Sequence, residues 1–80
     1  MSHARTAKQL AKEIERITGE PARVHGMWFY GLYLEVAGSQ HALGTTPWEV
    51  LSPADQESIC RLIGRPDLIS LLGLDAPTED

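Results

Sequence analysis

The chain has 80 residues, a formal net charge of −4 and a single cysteine, Cys60. One cysteine excludes an intramolecular disulfide, which secreted domains of this length commonly need. The first residues contain no apolar segment of the signal-peptide type, and no apolar run approaches the ~18 residues of a membrane-spanning helix. We therefore expect one small domain over residues 1–80, located in the cytoplasm and not in a membrane.

The amino-terminal pattern predicts a helix over about Ala4–Thr18. Apolar residues recur there at helical spacing and fall within one arc of about 120°. Ser2 is expected to cap the start of this helix, and Gly19, followed by Pro21, is expected to end it.

A β region follows, because the residues after Pro21 are rich in aromatic and branched side chains. Gly26 and Gly31 interrupt this region. It therefore divides into three short predicted strands, about Arg23–Met27, Tyr30–Val36 and Gln40–Leu43.

The hairpin between the last two strands is predicted from Gly38-Ser39, since a two-residue loop with glycine first favours a type II′ turn. That turn would place Val36 opposite His41 and Leu34 opposite Leu43. Side chains then alternate between two faces of the sheet. The predicted core face carries Leu32, Leu34, Val36 and Leu43, and the predicted open face carries Tyr33, Glu35, Gln40 and Ala42.

Three helix-start signals occur in the last third of the chain. Thr46-Pro47-Trp48-Glu49 has the spacing of a capping box with proline at the first helical position, and Ser52-Pro53-Ala54-Asp55 repeats the pattern. The second signal predicts a helix that runs to about Ile63. Arg65-Pro66-Asp67 predicts a short helix over Asp67–Leu72, and residues 74–80 are expected to form a frayed acidic tail.

The element order predicts an α+β fold, with an N-terminal helix, a three-stranded antiparallel sheet and C-terminal helices (α-βββ-α-α). A sheet of three strands needs one face covered to be stable. The first helix and the Pro53–Ile63 helix are the available covers, so we expect a two-layer sandwich.

The residues that carry chemistry form no catalytic or metal-binding pattern. His3, His25 and His41 have no partner at ligand spacing, and Cys60 lies on the apolar side of a predicted helix. The sequence contains neither a nucleophile elbow nor a glycine-rich phosphate loop. We expect no enzymatic activity, no metal and no cofactor.

The predicted first helix carries four basic residues, spaced by three and four positions, in one stripe of about 80° opposite the apolar side. Two interpretations remain: a solvated helix face, or a surface that binds phosphates or an acidic protein. The acidic overall charge argues against direct binding of nucleic acid. The stripe consists of Arg5, Lys8, Lys12 and Arg16.

The aromatic residues are concentrated, with Trp28, Phe29, Tyr30 and Tyr33 close together and Trp48 apart. Some must fill the core, and those left exposed would be interface anchors. Tyr30 and Tyr33, with the neighbouring Glu35, are therefore candidate partner contacts.

The acidic residues favour the second half of the chain, which has a net charge of −5 against +1 for residues 1–40. Helix first turns attract some of these acids, since the helix dipole favours them there. Asp75, Glu79 and Asp80 lie outside such turns, and they could contact a basic partner or keep the protein soluble. The candidate partner-binding acids are Glu49, Asp55, Glu57, Asp75, Glu79 and Asp80.

In size, acidity and architecture the chain resembles the small accessory proteins of phages and mobile elements, and among these the anti-CRISPR proteins. The resemblance is carried by the Ala4–Thr18 helix, the Trp28–Val36 strand region and the acidic tail. It implies a monomer or homodimer in a bacterial host cell that binds a subunit of a CRISPR–Cas effector complex. The inhibitor would block target DNA binding or nuclease recruitment.

Two other functions remain open at this point. The domain could be a nucleic-acid-binding or regulatory module that uses the basic face of the first helix. It could also be a phage assembly subunit that acts as a homo-oligomer through exposed aromatic residues.

Overall fold

The computed structural model describes residues 4–27, 31–46 and 48–75. Its elements confirm the α+β class, with a helix first, a three-stranded antiparallel sheet and helices last. In chain order they are β1 (Arg5–Thr6), α1 (Ala7–Thr18), β2 (Ala22–Met27), β3 (Gly31–Val36), β4 (Ser39–Ala42), β5 (Val50–Leu51), α2 (Pro53–Leu62) and α3 (Asp67–Leu71).

Helix α1 begins later than predicted, at Ala7, because Thr6 is its N-cap. The Thr6 hydroxyl accepts a hydrogen bond from the Gln9 N–H at 3.3 Å, and the Gln9 side chain accepts one from the Thr6 N–H at 2.9 Å. This reciprocal capping box satisfies two donors that the first turn otherwise leaves unpaired. The predicted cap, Ser2, lies outside the described residues. The predicted end is confirmed, since Gly19 adopts φ 75° as the C-cap.

The three predicted strands are confirmed as β2, β3 and β4, paired in that order, but the predicted turn is wrong. The loop is Ala37-Gly38, with φ values of 51° and 88°. Positive φ at both positions is the type I′ geometry, whose twist matches that of the flanking strands. Val36 therefore pairs with Ser39, and Leu34 pairs with His41 instead of Leu43.

The predicted faces survive this error because the pairing shifts by two residues, and an even shift leaves every side chain on its own face. Leu32, Leu34 and Val36 are buried, whereas Tyr33 and Glu35 between them are only half-buried. Leu43 extends the ladder by donating its N–H to the Leu32 carbonyl at 2.9 Å.

Helix α1 covers the buried face of the sheet, mainly at β2 and also at β3. Its contribution is an apolar stripe of Ala7, Leu10, Ala11 and Ile14, all buried. Helix α2 was the other expected cover, but its main contacts are with β5 and α3. The molecule measures 38 × 25 × 17 Å, and its buried residues form one core cluster.

The segment before α2 also differs from the prediction, since no helix begins at Thr46. The Glu49 N–H donates to the Thr46 carbonyl at 3.3 Å in a turn, and Val50–Leu51 then forms β5. Strand β5 pairs antiparallel with β1. This pairing joins two segments that are distant in the sequence and too short to show a strand pattern.

The later helix starts are confirmed. Ser52 caps α2 by accepting a hydrogen bond from the Asp55 N–H, and Asp67 begins α3. Leu74, in the segment expected to fray, is buried, and Asp75 accepts a hydrogen bond from the Ser70 hydroxyl at 2.6 Å. Residues 76–80 lie outside the described part of the chain.

Gln56 fixes α2 against the two short strands. Its side chain is fully buried, donates through Nε2 to the Leu51 carbonyl at 3.0 Å and accepts from the Arg5 guanidinium at 2.9 Å. One amide therefore connects α2 to both β1 and β5.

Among the helices of the described residues, none is long and apolar enough to cross a bilayer.

Candidate functional site

A groove of about 380 Å³ lies between α2 and the chain segment that leads from β4 to β5. Its apolar lining combines residues from both sides. Two carboxylates, Glu49 and Asp55, also line it, and we call it the acidic groove. Its apolar side chains are Leu43, Leu51, Ile59 and Leu62.

Local folding signals place the walls of the acidic groove. Ser52 caps α2 and Pro53 occupies its first turn, so Asp55 lies in the first turn of the helix. Ile59 and Leu62 follow at positions four and seven residues further, which keeps them on the same side of α2 as Asp55. The bond from Gln56 to the Leu51 carbonyl holds the opposite wall in place.

Unlike Glu57 of α2 and Asp67 of α3, the two groove carboxylates have no basic partner among the described residues. No described Lys, Arg or His lies within ion-pair distance of Glu49 or Asp55. Both residues are exposed. Negative charge therefore remains uncompensated at the rim of an apolar groove.

Glu57 shows the contrast, since its carboxylate lies 2.7 Å from the Arg61 guanidinium on the next turn of α2. Asp67 likewise pairs with Arg65 at 3.2 Å, and this hydrogen-bonded guanidinium lowers the pKa of the Asp67 carboxyl. Of the predicted partner-binding acids, Glu49 and Asp55 thus lie together and unpaired, whereas Glu57 is neutralised locally.

A polar atom adds to the acidic groove. The hydroxyl oxygen of Thr45, which lines it, is buried and has no hydrogen-bond partner in the described part of the chain. Buried hydroxyls usually have a partner, so this one is an unused polar contact for a bound group. The Ser58 hydroxyl, also in the lining, already donates to the Ala54 carbonyl at 3.2 Å.

One exposed apolar side chain belongs to the lining of the acidic groove, and two more adjoin a lining residue in the sequence. Leu62, in the lining, is 54% exposed, and Trp48 and Val50, on either side of Glu49, are 78% and 60% exposed. Trp48 is thus exposed, whereas the aromatic contacts predicted from the sequence were Tyr30 and Tyr33.

The other predicted partner contacts are spread over different surfaces. Tyr33 and Glu35 lie on the open face of the sheet, where the Tyr33 ring stacks on His25 with centroids 6.0 Å apart. Glu35 lies 3.6 Å from the Arg23 guanidinium and 3.7 Å from His25 Nε2. These side chains already contact one another, so they leave little unpaired charge.

Tyr30, Glu79 and Asp80 were also predicted to contact a partner, and they lie outside the described residues. Asp75 is among the described residues and accepts a hydrogen bond from the Ser70 hydroxyl. It does not line the acidic groove. The described geometry thus brings together two members of the predicted acidic set.

The predicted basic stripe is only partly present. Arg5 belongs to β1 and not to α1, and its guanidinium contacts the buried Gln56. Arg16 lies 2.7 Å from Glu13, and the hydrogen bond between them raises the pKa of Arg16 and lowers the pKa of Glu13. Lys8 and Lys12 remain as exposed cations on α1.

Lys8 and Lys12 line a second groove, of about 460 Å³, between α1 and β2. We call it the edge groove, because β2 is an outer strand of the three-stranded sheet. Its floor includes Ala11, Val24 and Gly26. The two grooves therefore carry opposite charge at their rims.

Cys60 is fully buried in the core, as predicted. Burial, reinforced by the Asp67 and Glu57 carboxylates, raises the pKa of its thiol, which keeps the sulfur protonated and unreactive. Within the described residues no group of three His, Cys, Asp or Glu side chains is arranged to hold a metal ion.

The sequence did not identify several residues of the two grooves. Thr45, Ser58 and Leu62 carry no motif, and Thr45 becomes a neighbour of the two α2 residues only through tertiary packing. Gly26 did give a signal, since a glycine inside a strand often marks close approach of another group.

No protein-family model, curated protein or solved structure matches this chain.

Proposed function

We propose that this chain is a non-enzymatic protein-binding module whose acidic groove binds a partner segment with a Lys or Arg side chain next to apolar side chains. The observation that carries the proposal is the coincidence of an apolar lining with the unpaired carboxylates of Glu49 and Asp55. Apolar contacts would supply most of the affinity, and the carboxylates would fix the orientation and speed association.

The unpartnered Thr45 hydroxyl supports the same proposal, since a backbone carbonyl or N–H of the bound segment would satisfy it. Trp48, which adjoins Glu49 in the sequence and is 78% exposed, would add apolar contact area for the partner. A site of this kind binds stoichiometrically and transforms nothing.

We further propose that the partner is a subunit of a CRISPR–Cas effector complex, which the chain would inhibit by blocking target DNA binding or nuclease recruitment. The support is the resemblance in size, acidity and architecture to anti-CRISPR proteins, together with charge. Such complexes line their nucleic-acid channel with Lys and Arg, to which a groove with two free carboxylates is complementary.

The test is a binding titration between this protein and purified CRISPR–Cas effector complexes, with Asp55→Asn as the variant and Glu57→Gln as its matched control. Both substitutions remove one negative charge from α2, but the Glu57 carboxylate is paired with Arg61 and lies outside the acidic groove. We expect Asp55→Asn to weaken binding about threefold to fivefold, and the double variant with Glu49→Gln to weaken it about tenfold or more.

Equal effects of Asp55→Asn and Glu57→Gln would contradict the groove as the binding site. Binding that nuclease treatment abolishes would contradict a protein partner and favour the nucleic-acid alternative. Binding to none of the effector complexes would contradict the proposed target. It would not contradict the acidic groove as a site for another basic partner segment.

A further inference from the structure

The free edge of β2 presents backbone groups that no described strand uses. Among the described strands β2 pairs with β3 alone, and Pro21 accepts the Ala37 N–H through its carbonyl at 2.9 Å. In an antiparallel pair such bonded positions alternate along the strand. The backbone N–H and C=O groups of His25 therefore point toward β3, whereas those of Val24 and Gly26 point away from the sheet.

A side chain of α1 confirms this direction. The N–H of Ala22, which has the same orientation as those of Val24 and Gly26, donates to a Glu15 carboxylate oxygen at 3.1 Å. Glu15 thus occupies the edge position at Ala22, and it does not occupy the positions at Val24 and Gly26. It also shows that an acceptor placed along this edge meets a backbone donor.

The edge groove leaves room for a chain to lie there. Helix α1 forms one wall, the lining includes the small residues Ala11, Ala22 and Gly26, and the volume is about 460 Å³. At Gly26 even a Cβ atom would meet nothing closer than Leu32 Cδ1 at 3.9 Å. A volume of this size accommodates side chains of an extended peptide beside α1.

The charges at the rim favour an acidic occupant. Lys8 and Lys12 are exposed along the α1 wall, and neither forms an ion pair among the described residues. The acid of the lining, Glu15, is engaged with the Ala22 N–H. Arg23, from the same strand, is 76% exposed and extends over the other face of the sheet toward Glu35.

We propose that the edge groove is a second binding site, which takes an extended acidic peptide segment of a partner protein by β-strand addition to β2. The segment would pair with the backbone groups of Val24 and Gly26, and its carboxylates would contact Lys8 and Lys12. Main-chain pairing supplies affinity in this mode, and the lysines select for acidic sequence. The inference stands apart from the proposed function, because it uses a different groove and the opposite charge.

The first experiment measures amide hydrogen exchange by NMR on the intact, ¹⁵N-labelled protein. The probe is an acetylated, amidated peptide in which valine alternates with glutamate or aspartate. We expect the peptide to slow exchange at the Val24 and Gly26 amides, which face the free edge. The amide of His25, already bonded to β3, should remain unchanged.

Two matched comparisons separate strand addition from simple charge attraction. The same peptide N-methylated at alternate residues keeps its charge but loses the donors that would pair with β2, so we expect binding to weaken about tenfold or more. The double substitution Lys8→Gln and Lys12→Gln should weaken binding about threefold to tenfold. Arg16→Gln, on the same helix but paired with Glu13, should leave binding unchanged.

Other results would overturn the inference. Equal binding of the plain and N-methylated peptides, or no binding at millimolar concentration, would exclude strand addition. Displacement of the peptide by a single-stranded oligothymidylate, with steep salt dependence, would identify the lysines as phosphate contacts instead. Exchange at the Val24 and Gly26 amides could also slow as the protein concentration rises, with no peptide present. That result would make a second copy of this chain the occupant.

Discussion

At the scale of single residues, two fully buried side chains of the core have opposite roles. Gln56 is fully buried yet fully engaged, because its amide bonds both Leu51 and Arg5. Cys60 is fully buried and apolar in behaviour, because burial keeps its thiol neutral. One side chain thus connects segments of the chain, and the other fills space.

Gln56→Ala is expected to lower the free energy of unfolding by about 2 kcal/mol or more, because it leaves the buried Leu51 carbonyl without its donor. Urea denaturation measures this loss. Gln40→Ala is the matched control, since Gln40 is exposed on β4 and should change stability by about 0.5 kcal/mol or less. Similar values for the two variants would mean that Gln56 does not hold α2 in place.

Cys60 should not react with a thiol reagent such as dithionitrobenzoate in the folded protein and should react fully in denaturant. Above pH ~8.5 the unfolded thiol ionises, while the raised pKa keeps the folded thiol protonated. Stability should therefore fall as pH rises from that value toward the folded pKa. Rapid modification under native conditions would contradict the burial of this side chain.

At the scale of elements, the helix caps were the most reliable sequence signals, because each requires a particular residue type at one position. Gly19 ends α1 and Ser52 caps α2 as the sequence predicted. The β3–β4 turn was mispredicted because Ala37 adopts the left-handed conformation, which glycine would normally take. Strands β1 and β5 could not be predicted, since two residues show no alternation and their pairing is non-local.

The β3–β4 turn gives a prediction of its own. Ala37→Asn should stabilise the protein by about 0.5–1 kcal/mol, because asparagine tolerates φ near 51° better and Asn-Gly is the preferred type I′ pair. Thermal or urea unfolding would measure the gain. Gly38→Ala at the next position, with φ 88°, should instead destabilise, and equal effects would contradict the turn geometry.

The capping box of α1 makes a second prediction for an element. Thr6→Ala should cost about 1 kcal/mol, since it removes the oxygen that accepts the Gln9 N–H. Thr6→Ser keeps that oxygen and should cost less. If α1 began near residue 4, as the sequence alone suggested, Thr6 would lie inside the helix and its replacement by alanine would stabilise it.

At the scale of the whole molecule, two of the grooves formed by the described residues have opposite charge at their rims. The acidic groove lies at α2 and β5, and the edge groove lies between α1 and β2. This arrangement follows the charge asymmetry of the sequence, whose halves carry +1 and −5. Under the two proposals, the domain would hold two partner segments at once.

The candidate site was only partly predictable from the sequence. Glu49 and Asp55 belonged to the predicted set of partner-binding acids, and both line the acidic groove. Glu57 belonged to the same set, but its i,i+4 pairing with Arg61 removes it. The apolar walls could not be foreseen, because Leu43, Leu51 and Leu62 meet only through the tertiary packing.

The most direct test of the acidic groove is site-specific photocrosslinking. Ser58→Cys places a thiol in the groove wall, and Gln40→Cys places one on the exposed β4, while the buried Cys60 stays unlabelled. Each variant carries a benzophenone and is irradiated with purified CRISPR–Cas effector complexes. We predict a stoichiometric protein crosslink from position 58 that survives nuclease and is absent from position 40. Crosslinks of equal yield from both positions, or from position 40 alone, would contradict the groove as the binding surface.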